Sequence, residues 1–233
     1  MSLSIIIPVL DEAGNIAAAL TLLAPLRARG AEIIVVDGGS RDDTAARAAP
    51  LADRVVAGAR GRAAQMNAGA AVARGDVLLF LHADTRLPPD ADRIVIDALT
   101  RTQRAWGRFD VTIEGRHPLL PVIAAAMNAR SRLTGITTGD QAMFVTREAF
   151  HAAGGFPEIA LMEDITFART LKRISRPMSL RARVTTSGRR WETRGVVRTI
   201  LLMWRLRLMY FLGAAPDQLA RRYGYAPDDQ RAA

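Results

Sequence analysis

The chain has 233 residues, a formal net charge of +9 and no cysteine. That length holds one α/β domain, or one domain with an appendage, and 49% hydrophobic residues suffice for a sizeable core. The missing cysteine excludes disulfides, thiolate metal sites and a cysteine nucleophile.

Residues Met1–Leu10 carry no basic region and no small-residue cleavage site, so they read as a strand and not as a signal peptide. Leu3–Val9 is an uninterrupted apolar run, as expected of a buried parallel strand. Asn15 can cap a helix through Ala17–Leu23, and Glu32–Val36 is the second strand. Asp42 or Asp43 can cap a short helix that stops at Pro50, and Arg54–Val56 is a third, short strand. A helix over Ala63–Ala73 ends at Gly75-Asp76, and Val77–Leu81 is another buried strand. Such alternation predicts right-handed crossovers and a Rossmann-like, mostly parallel sheet flanked by helices. The second half is less regular. It offers an edge strand at Phe109–Ile113, a helix over Leu119–Leu133, a strand at Gln141–Val145 and a short helix over Asp164–Lys172. A strongly apolar helix follows over Val196–Leu212. No linker divides the chain. The expected organisation is one domain over 1–190, with a donor half to about residue 100 and an acceptor half after it, and a C-terminal helical appendage over 191–233.

Lys172 is the only lysine, so the positive charge reflects arginine usage and does not by itself argue for nucleic acid as a partner. Arg181, Arg183, Arg189, Arg190, Arg194, Arg198, Arg205 and Arg207 cluster late, with Glu192 the only acid among them. Anionic phosphates, an anionic membrane surface or a solvated face each account for such a run.

Ligands of doubly wound sheets bind at the carboxyl ends of the strands. Three acidic signals stand there: Pro8-Val9-Leu10-Asp11-Glu12, Asp37-Gly38-Gly39-Ser40 with Asp43-Thr44, and His82-Ala83-Asp84-Thr85. Any one of them also reads as turn and cap residues. No G-x-G-x-x-G follows the first strand, and no Walker A lysine motif exists.

These residues, taken in order, resemble the glycosyltransferase family 2 pattern, whose fold is called GT-A. Ser4–Glu12 with Asn15 looks like the opening motif, and Val36–Ser40 with Asp43-Thr44 like the second. Arg60-Gly61-Arg62 with Asn67 and Gly69, then Gly75-Asp76, looks like the donor-binding segment. His82-Ala83-Asp84 stands where the family has D-x-D. Gly139, Gly154-Gly155-Phe156 and Glu163-Asp164 complete the acceptor half. The closest likeness is to the small branch with an H-A-D-T metal motif, some relatives of which act on carotenoid acids.

The resemblance implies an inverting transfer of a single sugar from a nucleotide-diphosphate sugar to an acceptor, with a lipid or carotenoid-like acceptor in view. Asp84 would ligate a divalent metal, Mg²⁺ or Mn²⁺, because hard oxygen ligands suit both and the departing diphosphate needs its charge stabilised. His82 departs from the family's aspartate; it can hydrogen-bond the ribose or diphosphate but adds no carboxylate. Pro8, Glu12 and Asp37 would line the base and ribose pocket, and Arg60, Arg62 and Asn67 would contact the nucleotide. Asp164 would be the general base, supported by Glu163, and both also read as acids at a helix N-terminus. Asp140 would orient the acceptor. Arg190 could pair with the diphosphate and Trp191 could stack on the acceptor, since Arg189-Arg190-Trp191 resembles part of the Q-x-x-R-W signature of processive synthases; both residues read equally as surface packing. Ser187 replaces its glutamine, which favours single transfer.

Two other classes stand beside this reading: a sugar nucleotidyltransferase and a non-catalytic nucleotide-sugar-binding protein. The first should carry a glycine-rich, lysine-bearing signature, which is missing. Val196–Leu212 is interrupted by Arg198, Arg205 and Arg207 and is too short for a span of roughly 20 apolar residues. It reads as an interfacial helix with snorkelling arginines, or as a helix packed on the domain or on a second copy. The implied location is cytoplasmic, with peripheral contact to the inner face of a membrane left open.

Overall fold

The computed structural model describes residues 1–225. One eight-stranded sheet organises the chain. Its strands are β1 (Leu3–Val9), β2 (Glu32–Asp37), β3 (Arg54–Ala57), β4 (Val77–Phe80), β5 (Thr85–Arg86), β6 (Trp106–Glu114), β7 (Phe144–Thr146) and β8 (Met178–Ser187). They lie in the order β3-β2-β1-β4-β7-β6-β8-β5. β3, β2, β1 and β4 pair in parallel, as do β6 and β8; β7 runs antiparallel to both of its neighbours, and β5 antiparallel to β8.

The helices are α1 (Ile16–Ala28), α2 (Thr44–Ala48), α3 (Arg62–Val72), α4 (Ala91–Thr102), α5 (Leu120–Thr134), α6 (Arg147–Ala152), α7 (Glu163–Ile174), α8 (Arg189–Arg194), α9 (Val196–Phe211) and α10 (Pro216–Tyr223). Side chains alternate across a strand, so β1 and β2 feed two cores. Ile5, Ile7, Ile33 and Val35 pack with Ile16, Leu20 and Leu23 of α1 on one face. Ile6, Ile34 and Val36 meet Met66 and Ala70 of α3, and Phe167 and Leu171 of α7, on the other. Each fully buried side chain of this kind contributes about 1.5–3 kcal/mol. A third cluster joins Leu161, Met162 and Ile165 to Leu206 of α9 and Leu219 of α10. The C-terminal helices therefore pack back onto the segment that opens α7.

Several expectations are corrected. β6 is an interior strand between β7 and β8, not an edge. It hides this because the buried Arg108 and Asp110 pair with each other, and Asp110 also holds Arg132. The polar alternation that signals a solvated face is here a neutralised network inside the sheet. α1 continues through Pro25 to Ala28, since Leu26 is buried in the core and the proline lies near the end of the helix. Asn15 precedes α1 but does not cap it; its amide donates to Glu12 Oε2 at 2.9 Å. α4 and β8 had no counterpart in the expected elements.

Candidate functional site

The carboxyl ends of β1 and β4, the start of α3, the turn at Gly139–Gln141, the start of α7 and the helices α8–α10 enclose one cleft of about 850 Å³. At the ends of β1 and β2 the cleft is built by two loops that lock each other. Ser40 Oγ accepts the Asp11 N–H at 2.9 Å, Asp11 Oδ1 accepts the Arg41 N–H at 2.7 Å, and Thr44 Oγ1 accepts the Glu12 N–H at 2.8 Å. Asp37 pairs in register with Val9 and holds Ser40 through its backbone N–H at 3.2 Å and through its hydroxyl. Pro8, Glu12, Arg60 and Arg62 line the cleft.

Gln65 also lines the cleft and carried no signal in the sequence reading. Its side-chain nitrogen donates to Val9 O at 2.8 Å and Val36 O at 2.9 Å, joining both strand ends to α3. A buried polar residue amid Ala63, Met66 and Ala70 is the one hint the sequence offered. Asn67 lies elsewhere, outside the cleft lining. Its amide donates to Phe156 O at 2.8 Å and accepts the Phe156 N–H at 2.9 Å, clamping the glycine loop to α3. Its amide is thus engaged with Phe156, where the resemblance implied a nucleotide contact.

Elsewhere in the cleft, Met162 holds φ at +73° immediately before α7, a conformation that costs about 1–3 kcal/mol and persists only where the surroundings enforce it. It turns Glu163 and Asp164 toward the cleft. Asp164 Oδ2 accepts the Gly139 N–H at 2.9 Å, and Oδ1 accepts the Ile165 N–H at 2.7 Å. Glu163 is buried, with Arg62 Nη1 at 3.6 Å. A Cβ on Gly139 would run into the His82 ring and force it to shift. His82 Nδ1 lies 3.4 Å from Asp140 Oδ1.

The charges in the cleft are tuned in opposite directions. Burial raises the carboxyls of Glu163 and Asp164 above the ordinary range; the adjacent Asp164 charge adds to this at Glu163, and the two backbone donors and Arg62 only partly offset it at Asp164. Asp140 is held below the usual range, because hydrogen bonding and charge from His82, with Arg62 and Arg190, outweigh its burial. Burial opposes the charge on Arg62, yet Tyr225 and the carboxylates of Glu163, Asp164 and Asp140 raise it above its usual value. Acid–base sites use this separation of carboxyls, and so do structural ion-pair networks.

Among the described residues no group of three or more ligand-type side chains is placed to hold a metal ion. Asp84 suits another arrangement. Its carboxylate is exposed in the cleft, with only a long contact to Thr85 Oγ1 at 3.4 Å. Mg²⁺ commonly takes one or two carboxylates and completes its shell with phosphate oxygens and water, which this donor set fits. Across the cleft, Arg190 stacks on Tyr223 with its guanidinium 4.5 Å from the ring centroid. Trp191 lines the cleft while packing against the main core.

The family model "Glycosyl transferase family 2" matches residues 4–154, and the chain belongs to this family. Among solved structures, S. aureus TarS residues 1–349 in complex with UDP-GlcNAc is 18% identical, with a TM-score of 0.65 over 80% of this chain and 58% of that one. Glucosyl-3-phosphoglycerate synthase from Mycobacterium tuberculosis, in complex with Mn²⁺, UDP and glucosyl-3-phosphoglycerate, is 20% identical. Its TM-score is 0.59 over 79% of this chain and 70% of that one. The chain thus spans about three fifths of the TarS 1–349 structures it matches, and 37% of the longer TarS structure. These likenesses bear out the GT-A fold. No curated protein sequence matches the chain.

Proposed function

We propose that the chain transfers one sugar from a nucleotide-diphosphate sugar to an acceptor hydroxyl, with inversion at the anomeric carbon. The observation that carries this is the placement of Asp164: a half-buried carboxylate of raised pKa, fixed by two backbone donors, in the same cleft as the open carboxylate of Asp84. TarS and the synthase are complexed with UDP-GlcNAc and with UDP, so uridine donors are the first to test.

The nucleoside lies against Pro8 and Glu12, with Asp37 just outside the cleft lining behind them and Arg60 and Arg62 toward the diphosphate. Asp84 would hold a divalent cation, which would supply charge neutralisation at the leaving diphosphate. Asp164 takes the proton of the acceptor hydroxyl as its oxygen bonds to the anomeric carbon. The bond from that carbon to the diphosphate oxygen breaks, and the nucleoside diphosphate leaves with the electron pair. One base and no nucleophile give a single displacement, hence inversion. Asp140, fixed by His82, orients the acceptor; Arg190 faces the diphosphate and Trp191 the acceptor.

No described helix is long and apolar enough to cross a membrane. The exposed face of α9 nevertheless carries Val197, Leu201, Trp204, Leu208 and Phe211 at alternating spacings of four and three, each at least 60% exposed. Arg198 and Arg205 flank that stripe, and α9 contains no acid. Apolar side chains beside cations suit the interface of an anionic membrane better than a second copy bearing the same charge.

A thermal-shift screen of nucleotide sugars, with and without Mn²⁺, tests the donor reading. Stabilisation by a nucleotide sugar that is larger with metal supports it. No response to any nucleotide sugar contradicts it.

A further inference from the structure

The C-terminal wall of the cleft contains charge that the proposed transfer does not use. Arg194 and Arg207 both line the cleft, and among the described residues neither pairs with a carboxylate. Arg194 is held in place by the Tyr223 carbonyl, which accepts from Nη1 at 3.1 Å. Arg207 points inward from α9, and its Nε is buried without a hydrogen-bond partner. That Nε is closed off from the cleft, so a ligand there would be met by the terminal Nη groups, which are not buried. The planar fork of arginine matches phosphate and carboxylate oxygens.

The position of these arginines selects the ligand. Leu206, next to Arg207, packs on Leu161, Met162 and Ile165, the residues around the catalytic pair. Three residues further along α9, the Tyr210 hydroxyl meets Thr166 Oγ1 of α7 at 2.5 Å. The α9 wall therefore stands beside the start of α7, where the attacking hydroxyl must meet Asp164. The nucleoside end, at β1 and Gln65, is built from different elements, while Arg190 of α8 faces the diphosphate between the two.

We propose that Arg194 and Arg207 form a subsite for an anionic group, phosphate or carboxylate, carried by the acceptor. This deepens the transferase reading and rests on it. The same chemistry could instead serve the donor's diphosphate, and the test separates the two sources.

Full-length protein saturated with UDP and Mn²⁺ is titrated with glycerol 3-phosphate, with neutral glycerol as the control, and UDP affinity is measured separately. The expected result is binding of glycerol 3-phosphate but not glycerol. Arg207→Gln should weaken it at least tenfold while UDP affinity stays within threefold. Arg194→Gln, on the exposed helix α8, provides a second variant if Arg207→Gln fails to fold, and the same loss is expected. Glycerol 3-phosphate that fails to bind the UDP-loaded protein, or binds both variants as well as the parent, overturns the subsite. A tenfold loss of UDP affinity in a folded variant also overturns it, by giving the arginines to the donor. Failure of UDP itself to bind the parent would instead count against the transferase reading.

Discussion

The backbone N–H of Gly139 donates to Asp164 Oδ2 at 2.9 Å, tying the turn after α5 to the first residues of α7. Gly139 also makes room for the His82 ring from the end of β4. One glycine thus brings the carboxylate proposed as base, the turn that holds Asp140 and the strand end that leads to Asp84 into one frame. Gly139→Ala should misplace all three and lower turnover more than it lowers the melting temperature would suggest.

The pH dependence follows from the raised Glu163–Asp164 pair. A base must be deprotonated, so kcat/KM should rise with pH along a limb above the ordinary carboxylate range. Arg62 lowers the pair's pKa, so Arg62→Gln should move that limb to higher pH. Asp140 raises that of Asp164, so Asp140→Asn should move it to lower pH. A limb in the ordinary range that neither variant moves would remove the pair from the rate equation.

Asn67→Ala deletes a donor and an acceptor to Phe156 at once. Leaving two backbone groups unpaired should cost about 1–3 kcal/mol each. Urea unfolding should show that loss, and donor affinity of the folded variant should change little. A large drop in donor affinity at unchanged stability would return Asn67 to the nucleotide.

Asp84→Asn should abolish the gain in donor affinity that Mn²⁺ confers and leave the melting temperature of the ligand-free protein unchanged. Titration calorimetry with and without chelator measures both affinities. Equal donor affinity under the two conditions in the parent protein would contradict a metal at this position.

The exposed stripe of α9 predicts co-sedimentation with anionic vesicles, weaker at high salt. Truncation before Val196 is a poor test, because buried Leu206 and Leu219 anchor α9 and α10 to the segment opening α7. The double variant Trp204→Ser, Leu208→Ser changes only exposed positions and should release the protein from vesicles without unfolding it. A parent protein that stays in the supernatant and sediments as a dimer would assign the stripe to a second copy.

The donor half was legible because β1, β2 and β4 are buried on both faces and read as apolar runs. β8 was not, because Arg181 and Arg183 lie on its half-exposed side and suggested a charged surface. β6 read as an edge because its polar residues neutralise one another inside the protein. Asp164 and Asp84 stood out through the order of their motifs. The roles of Asn67 and Gln65 depend on contacts across long stretches of chain, which local pattern does not encode. The unfilled Nε of Arg207 exists only once α9 has folded against the cleft.

Product analysis of a nucleotide sugar that binds, incubated with enzyme and Mn²⁺, tests the central claim most directly. ³¹P NMR distinguishes nucleoside diphosphate from pyrophosphate, and slow donor hydrolysis suffices where no acceptor is supplied. The parent protein should release nucleoside diphosphate. Asp164→Asn should bind donor equally and release the product about 10²-fold more slowly, the scale expected for a lost general base. Pyrophosphate as the product, or an Asp164→Asn variant that turns over at the parent's rate, would contradict the account.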